Sequence, residues 1–174
     1  MQKFERANFE VKEYVESEHY GKFVFEPLER GFGTTIGNAL RRVLLSSLPG
    51  AAVFAIKMDG VYHEFTAIPG VVEDVTAIIL NIKKLILKIQ DDEVYTLRIS
   101  KRGPGEVTGA DIICPEGVEI LSKDQYICTL EEDGVLEMEL RARVGRGYVS
   151  ADANKSLYQT QNQPLGTIYT DAIY

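Results

Sequence analysis

The chain has 174 residues, 45% of them hydrophobic, so it is long enough to bury the core of one ordinary domain or of two small ones. Nineteen basic and 26 acidic side chains give a net charge of -7, the wrong sign for a protein that mainly neutralises nucleic-acid phosphates. The N-terminus is charged, and no apolar run approaches the ~20 residues that a membrane-spanning helix needs. We therefore expect a cytoplasmic protein with no membrane segment.

The first elements in chain order are two β-rich runs. NFEVKEYVE and YGKFVFEPLE alternate apolar and polar residues on either side of the turn-prone SEH, which contains His19. This pattern predicts a β-hairpin.

Residues 34–48 change to a helical period. Thr34 or Thr35 is suited to cap the start of this helix, and Pro49-Gly50 is a typical stop signal. One face carries the apolar stripe Ile36, Leu40, Val43, Leu44 and Leu48, whereas Asn38, Arg41, Arg42 and Leu45 lie away from its centre.

The middle and end of the chain are predominantly β. AAVFAIKMDGVYHEF predicts a second hairpin turning at Asp59-Gly60, and a short helix is predicted after Pro69-Gly70, with Val72, Val75, Ile79 and Ile82 at helical spacing. The candidate strands that follow are LILKIQ, VYTLRIS, GVEIL, YICTL and VLEMELRARV, with RGPGEVTG as turn material. SADANKSLYQTQNQPLG predicts a loop, after which TIYTDAIY turns apolar again. Two helices are too few for alternating βαβ units, so the predicted class is α+β with mostly antiparallel sheet.

One candidate for chemistry is the glycine cluster GFGTTIG, because a helix N-terminus attracts phosphate. It lacks the Gly-Lys-Ser/Thr of a P-loop, and Gly37 is one position too late for a dinucleotide fingerprint. The structural interpretation is that Gly31 and Gly33 allow backbone conformations closed to other residues. A phosphate- or nucleotide-binding enzyme that uses GFGTT remains the alternative hypothesis.

The remaining reactive side chains form no recognisable constellation. His19 and His63 stand alone, and Cys114 and Cys128 match no metal-binding spacing. We therefore expect no catalytic residue, no metal and no cofactor. The pair Arg41-Arg42 is either solvent-exposed or faces a second protein, since the planar guanidinium group suits such surfaces.

The stretch EPLERGFGTTIGNALRRVLLSSLPGAAV resembles the signature of the N-terminal domain of the bacterial DNA-directed RNA polymerase alpha subunit. The resemblance continues in order along the chain, and its further segments are DGVYHEF, PGVVEDVTAIILNIKKL, GPGEVTGADI, VEIL, GRGYV and PLGTIYTDAIY. An adaptor that dimerises but serves another assembly, such as a divergent alpha homologue, is a further alternative.

This resemblance implies a non-catalytic subunit of a nucleotidyltransferase. In the family it resembles, two copies form a homodimer, which is the platform on which the beta and beta prime subunits assemble in transcription, and we expect the same of this chain, with no direct nucleic-acid contact from this region. The implied fold has a discontinuous dimerisation domain of a hairpin and a long helix, at residues 1–48 and 149–174, with an inserted, mostly antiparallel β-rich domain at 49–148. Family members continue past the DAIY position into a helix that completes the dimer interface, so we expect this chain to be truncated at its C-terminal side.

The resemblance also implies site residues. The helix at 34–48 corresponds to the dimerisation helix, and the loop at 28–33 and the region 60–74 lie close to the surface that contacts beta. The implied dimer-interface residues are Ile36, Leu40, Val43 and Leu44. Those implied for beta are Glu29, Arg30, Gly31, Arg42 and Leu45, and those for beta prime are Lys83 and Thr170, a position where valine is more usual.

Overall fold

The computed structural model describes residues 6–18, 20–159 and 166–174. The chain forms two compact units, unit 1 at Met1–Leu45 and unit 2 at Ser46–Tyr174. His19, which we placed in a turn, and residues 160–165 of the predicted loop lie outside the described residues.

Unit 1 contains the predicted N-terminal hairpin. Strands β1 (Asn8–Val15) and β2 (Tyr20–Glu26) pair antiparallel, with Phe9 opposite Phe25 and Val11 opposite Phe23. Because side chains alternate between the two faces of a strand, these four residues share one face. The rings of Phe9 and Phe23 stack with their centroids 5.4 Å apart. The hairpin therefore has one apolar, largely aromatic face.

Helix α1 (Phe32–Ser46) is the second part of unit 1, with its last residue at the start of unit 2. It begins and ends two residues earlier than predicted, because Phe32 already donates its backbone N–H to Glu29 and Pro49 disfavours helical backbone just before it. The expected Thr34 or Thr35 cap is wrong, since both residues lie inside the helix and the Thr35 hydroxyl donates to the carbonyl of Gly31. Leu48, expected at the end of the stripe, lies outside the helix.

Unit 2 is built on a seven-stranded sheet with the order β7-β5-β10-β3-β4-β8, in which β12 also pairs with β3. Its pairings are antiparallel, which confirms the predicted α+β class with mostly antiparallel strands. Two further pairs are β6 with β9 and β11 with β13. The strands are β3 (Pro49–Met58), β4 (Leu87–Ile89), β5 (Tyr95–Arg102), β6 (Gly105–Thr108), β7 (Ile112–Ile113), β8 (Val118–Ile120), β9 (Tyr126–Leu130), β10 (Val135–Arg146), β11 (Tyr148–Val149), β12 (Thr167–Tyr169) and β13 (Ala172–Ile173).

Two predictions about the strands of unit 2 are wrong. The second hairpin does not form, because β3 pairs with β10 and β12 while VYHEF runs as a loop after the turn at Gly60, whose φ is +76°. RGPGEVTG, predicted as turn material, contains β6, whose backbone pairs with β9.

Helix α2 (Val75–Ile82) lies where a helix was predicted, but it starts at Val75 because the side chain of Asp74 accepts a hydrogen bond from the N–H of Ala77 at 2.7 Å. Val72, expected on this helix, lies before it. Helix α3 (Ala151–Tyr158) corrects the predicted loop, and the Ser150 hydroxyl caps it by accepting from Ala153 at 3.3 Å.

The main hydrophobic core lies in unit 2, where α2 and β9 contribute residues alongside the strands of the sheet. A second cluster joins Phe54 of β3 to Tyr158 of α3 and to Tyr174. The guanidinium of Arg143 lies over these three rings, at 5.7, 5.0 and 5.2 Å from their centroids. Among the described residues, no helix has the length and apolar character needed to cross a membrane.

Candidate protein-interaction surfaces

Helix α1 presents two distinct faces. At about 100° per residue, the stripe of Ile36, Leu40, Val43 and Leu44 covers one side, and Arg42 lies roughly 150° from its centre. Leu45 shares the side of Arg42. None of the fifteen residues of α1, all of them described, is buried. The helix thus exposes an apolar side and a mixed side in the described chain.

The three residues Glu29, Arg30 and Gly31 form the turn before α1. All three are exposed, and Glu29 accepts the N–H of Phe32 at 3.1 Å. Gly31 has a φ of +90°, a conformation that L side chains rarely adopt, and this turn leads directly into α1. This conformation agrees with the sequence prediction for Gly31, but the same prediction for Gly33 is wrong, because Gly33 lies inside α1 and does not have a positive φ.

Lys83 and Thr170 are brought near each other by the ion pair between Lys83 and Asp171. The Lys83 ammonium lies 2.6 Å from the Asp171 carboxylate. This hydrogen bond holds the pKa of Asp171 below its usual value, although partial burial acts in the opposite direction. Thr170 is only 6% exposed, and its backbone bonds Phe54 and Asn154. Of the two residues, Lys83 offers the more accessible side chain.

The loop between β3 and α2 exposes two aromatic side chains that were not among the predicted site residues. Tyr62 is 71% and Phe65 is 81% exposed. Both aromatic residues stand in VYHEF, but the alternation of apolar and polar residues in that stretch predicted a strand with half-buried side chains. In the structure, Val61 turns inward and is buried, while Tyr62 and Phe65 face solvent.

Cys128 and His63 are two of the reactive side chains considered from the sequence. Burial raises the pKa of the Cys128 thiol to about 12, so it stays protonated at neutral pH. His63 is exposed, and its Nδ1 lies 3.1 Å from the hydroxyl of Thr66. Within the described ranges, no group of three or more His, Cys, Asp or Glu side chains is placed to hold a metal ion.

Residues 56–174 match the family model described as the RNA polymerase Rpb3/RpoA insert domain. The chain belongs to this family. The matched residues include only the last three residues of β3, 56–58, and everything after them, so the match covers the antiparallel sheet of unit 2 except the first seven residues of β3.

A relative extends the similarity to the stretch EPLERGFGTTIGNALRRVLLSSLPGAAV at 26–53. The chain is 53% identical over all of its 174 residues to the DNA-directed RNA polymerase subunit alpha of Alkaliphilus metalliredigens (strain QYMF). The aligned region is 54% of that protein, so the chain spans about half the length of this relative. The resemblance to bacterial RNA polymerase alpha subunits is confirmed.

Proposed function

We propose that this chain is the N-terminal region of an RNA polymerase alpha subunit that pairs with a second copy and forms the assembly platform for the beta and beta prime subunits. Its role in the nucleotidyltransferase is then structural, and its place is the cytoplasm. The observation that carries the proposal is the uncovered apolar stripe of α1 in a chain that is 53% identical to an alpha subunit. An exposed apolar face of this kind marks a protein contact.

The two faces of α1 support two separate contacts. The stripe of Ile36, Leu40, Val43 and Leu44 is suited to pack against its symmetry mate, because a two-fold contact places the same apolar patch on both copies. We assign Arg42 and Leu45, on the other side of the helix, to the contact with beta. Glu29, Arg30 and Gly31, in the exposed turn before α1, belong to the same proposed contact.

Two features of unit 2 support further contacts. The loop at 60–74, with its exposed aromatic side chains, is proposed to contact beta. Lys83 is proposed to contact beta prime, with buried Thr170 holding the adjacent chain in place through its bonds to Phe54 and Asn154. In this scheme, 1–48 and 149–174 form the dimerisation domain and 49–148 the inserted domain.

A pair of leucines on α1 gives a matched test. Leu40 on the stripe and Leu45 on the other side are exposed to similar extents, 56% and 63%. Leu40→Asp should raise the dimer dissociation constant more than tenfold, whereas Leu45→Asp and Arg42→Ala should leave the dimer intact and weaken binding to purified beta more than tenfold. Light scattering measures the mass of the 174-residue chain, and titration with beta measures the second affinity. Equal effects of Leu40→Asp and Leu45→Asp on both quantities would contradict the assignment of two faces.

The alternative of a nucleotide-binding GFGTT loop makes a different prediction. A nucleotide that binds the folded chain raises its melting temperature by mass action. The same protein sample can be heated with and without millimolar nucleotide, and an unchanged melting temperature removes this alternative.

A further inference from the structure

The backbone on both sides of Phe65 is bonded to the first turn of α2. The carbonyl of Glu64 accepts from the Thr76 hydroxyl at 2.9 Å, and the carbonyl of Thr66 accepts from the N–H of Val75 at 3.1 Å. A bridge between Ala67 and Asp74 joins the same two segments. The most exposed large apolar side chain among the described residues therefore stands on a fixed piece of backbone.

Glu73 in turn fixes the start of α2 to strand β9. Its carboxylate accepts two hydrogen bonds, one from the hydroxyl of Tyr126 and one from the N–H of Thr129 at 2.7 Å. The Tyr126 hydroxyl also lies 2.6 Å from the hydroxyl of Thr129. Val72 donates its N–H to the carbonyl of Thr129 at 3.0 Å. Glu73 is thus one of the side chains that connect the segment around Phe65 and the start of α2 to the sheet pair β6-β9; Asn81, at the end of α2, also donates to the carbonyl of Ile127 at 3.0 Å.

A fixed, exposed aromatic residue has the properties of a binding anchor. Phenylalanine offers a large apolar surface with few rotatable bonds, so it loses little conformational freedom when a partner covers it. Fixing its backbone in advance reduces that loss further. Aromatic anchors of this kind carry much of the binding free energy at protein interfaces.

We infer that Phe65 anchors the contact between this loop and the beta subunit, and that Glu73 is a positioning residue that acts through Phe65. This inference rests on the proposed function, because it takes beta as the partner of the loop. Within the proposed contact of the loop at 60–74, it gives Phe65 and Glu73 separate roles. The surface that receives Phe65 is an apolar pocket on beta.

A double-mutant cycle with purified beta tests the relation between the two residues. Phe65→Ala should weaken the affinity of the 174-residue chain for beta by at least tenfold, and Glu73→Ala by at least threefold. If Glu73 acts only by placing the anchor, Glu73→Ala should add nothing in the Phe65→Ala background. Matched controls are Ile113→Ala, an exposed apolar residue on β7, and Glu119→Ala, an exposed acid on β8, and both should bind beta as the wild type does.

Hydrogen exchange gives a second readout that separates positioning from general stability. In Glu73→Ala the exchange of the amides of residues 60–74 should accelerate by a larger factor than that of the amides of β3, β5 and β10, which report the global stability of the fold. Glu73→Gln retains one acceptor oxygen, and Tyr126→Phe removes one donor, so each should weaken beta binding less than Glu73→Ala does. These two milder variants also test the inference if Glu73→Ala fails to fold.

The outcomes distinguish this inference from the proposed function. If the wild type dimerises and binds beta, but Phe65→Ala binds equally well, the anchor role is wrong and the proposed function stands. If the effects of Phe65→Ala and Glu73→Ala add fully, Glu73 does not act through Phe65. If the wild-type chain does not bind beta, both the proposed function and this inference are overturned.

Discussion

At the scale of single residues, the structure separates side chains that face outward from those that hold the chain together. Lys83 and Thr170 illustrate this, because the sequence resemblance assigned them the same role. Thr170 is buried and bonded to its own chain, whereas Lys83 pairs with Asp171 at the surface. The burial of Thr170 beside the partly exposed Lys83 depends on contacts between distant segments, such as the bond from Asn154 of α3 to the carbonyl of Thr170, which no local sequence pattern encodes.

The Lys83–Asp171 pair predicts a pH dependence. The pKa of Asp171 is lowered from 3.8 in the folded chain, so the pair stabilises the fold above that value, and its contribution is lost as the pH falls through the lowered pKa. Because both groups are partly exposed, the contribution at neutral pH is below about 1 kcal/mol. Urea unfolding at several pH values should show that Lys83→Met is less stable than the wild type at neutral pH and equally stable at strongly acidic pH.

Lys84, the residue after Lys83, provides the control for that experiment. The ammonium of Lys84 donates to the neutral side-chain oxygen of Asn81 at 3.3 Å. Lys84→Met should therefore change the free energy of unfolding by an amount that does not vary across the same acidic range. A pH dependence shared by both variants would show that the ion pair with Asp171 is not its source.

At the scale of elements, the alternation of apolar and polar residues predicted most strands, and the helical spacing of apolar residues predicted α1 and α2. The N-terminal hairpin, α1, α2 and the five candidate strands after α2 lie close to where the sequence placed them. Helix α3 was missed because SADANKSLY is polar, although Ser150 followed by Ala and Asp is a typical helix start. Its key packing residue, Asn154, is fully buried and donates to the carbonyl of Thr170, a contact that needs the folded sheet.

VYHEF shows the opposite error, because it was predicted as a strand and forms a loop. Its alternation is typical of a strand, yet Thr66 and Thr76 give the backbone other hydrogen bonds. Short polar side chains compete with regular structure in this way. The apolar stripe of α1 could be predicted from its sequence period alone. The role inferred for Phe65 could not, because it depends on hydrogen bonds from the loop to the start of α2 and from Glu73 to the distant strand β9.

The cap of α2 gives a prediction at this scale. Asp74→Ala removes the acceptor for the N–H of Ala77 and should lower the free energy of unfolding by about 1 kcal/mol. Asparagine caps helices about as well as aspartate, so Asp74→Asn should retain most of the stability. Urea denaturation followed by circular dichroism measures both, and an equal loss in the two variants would show that charge, not capping, is responsible.

At the scale of the whole molecule, stability is distributed unevenly along the chain. Both hydrophobic clusters lie in unit 2, whereas α1 and the hairpin of unit 1 expose their apolar faces within the described residues. Isolated two-stranded hairpins and helices of about 15 residues are only marginally stable in water. The residues that we assign to dimer and beta contacts on α1 therefore sit on the less stable unit.

Hydrogen exchange of the chain at low concentration can measure this difference. Amides in β3, β5 and β10 should exchange only through global unfolding, and those of β1, β2 and α1 should exchange at least about a hundredfold faster. Raising the concentration should slow exchange in α1 if a second copy covers its stripe. Equal protection of α1 and β10 in the dilute chain would contradict the uneven distribution of stability.

The ring cluster around Arg143 has a practical consequence for all of these experiments. The sequence contains no tryptophan, so tyrosine dominates the near-ultraviolet signal of the protein. Tyr158 and Tyr174 are held beside one cation by segments far apart in the chain, and aromatic rings in fixed, asymmetric surroundings lose their near-ultraviolet circular dichroism when packing is lost. The near-ultraviolet circular dichroism of the unlabelled protein therefore reports on whether α3 and the C-terminal strand β13 stay packed against the sheet.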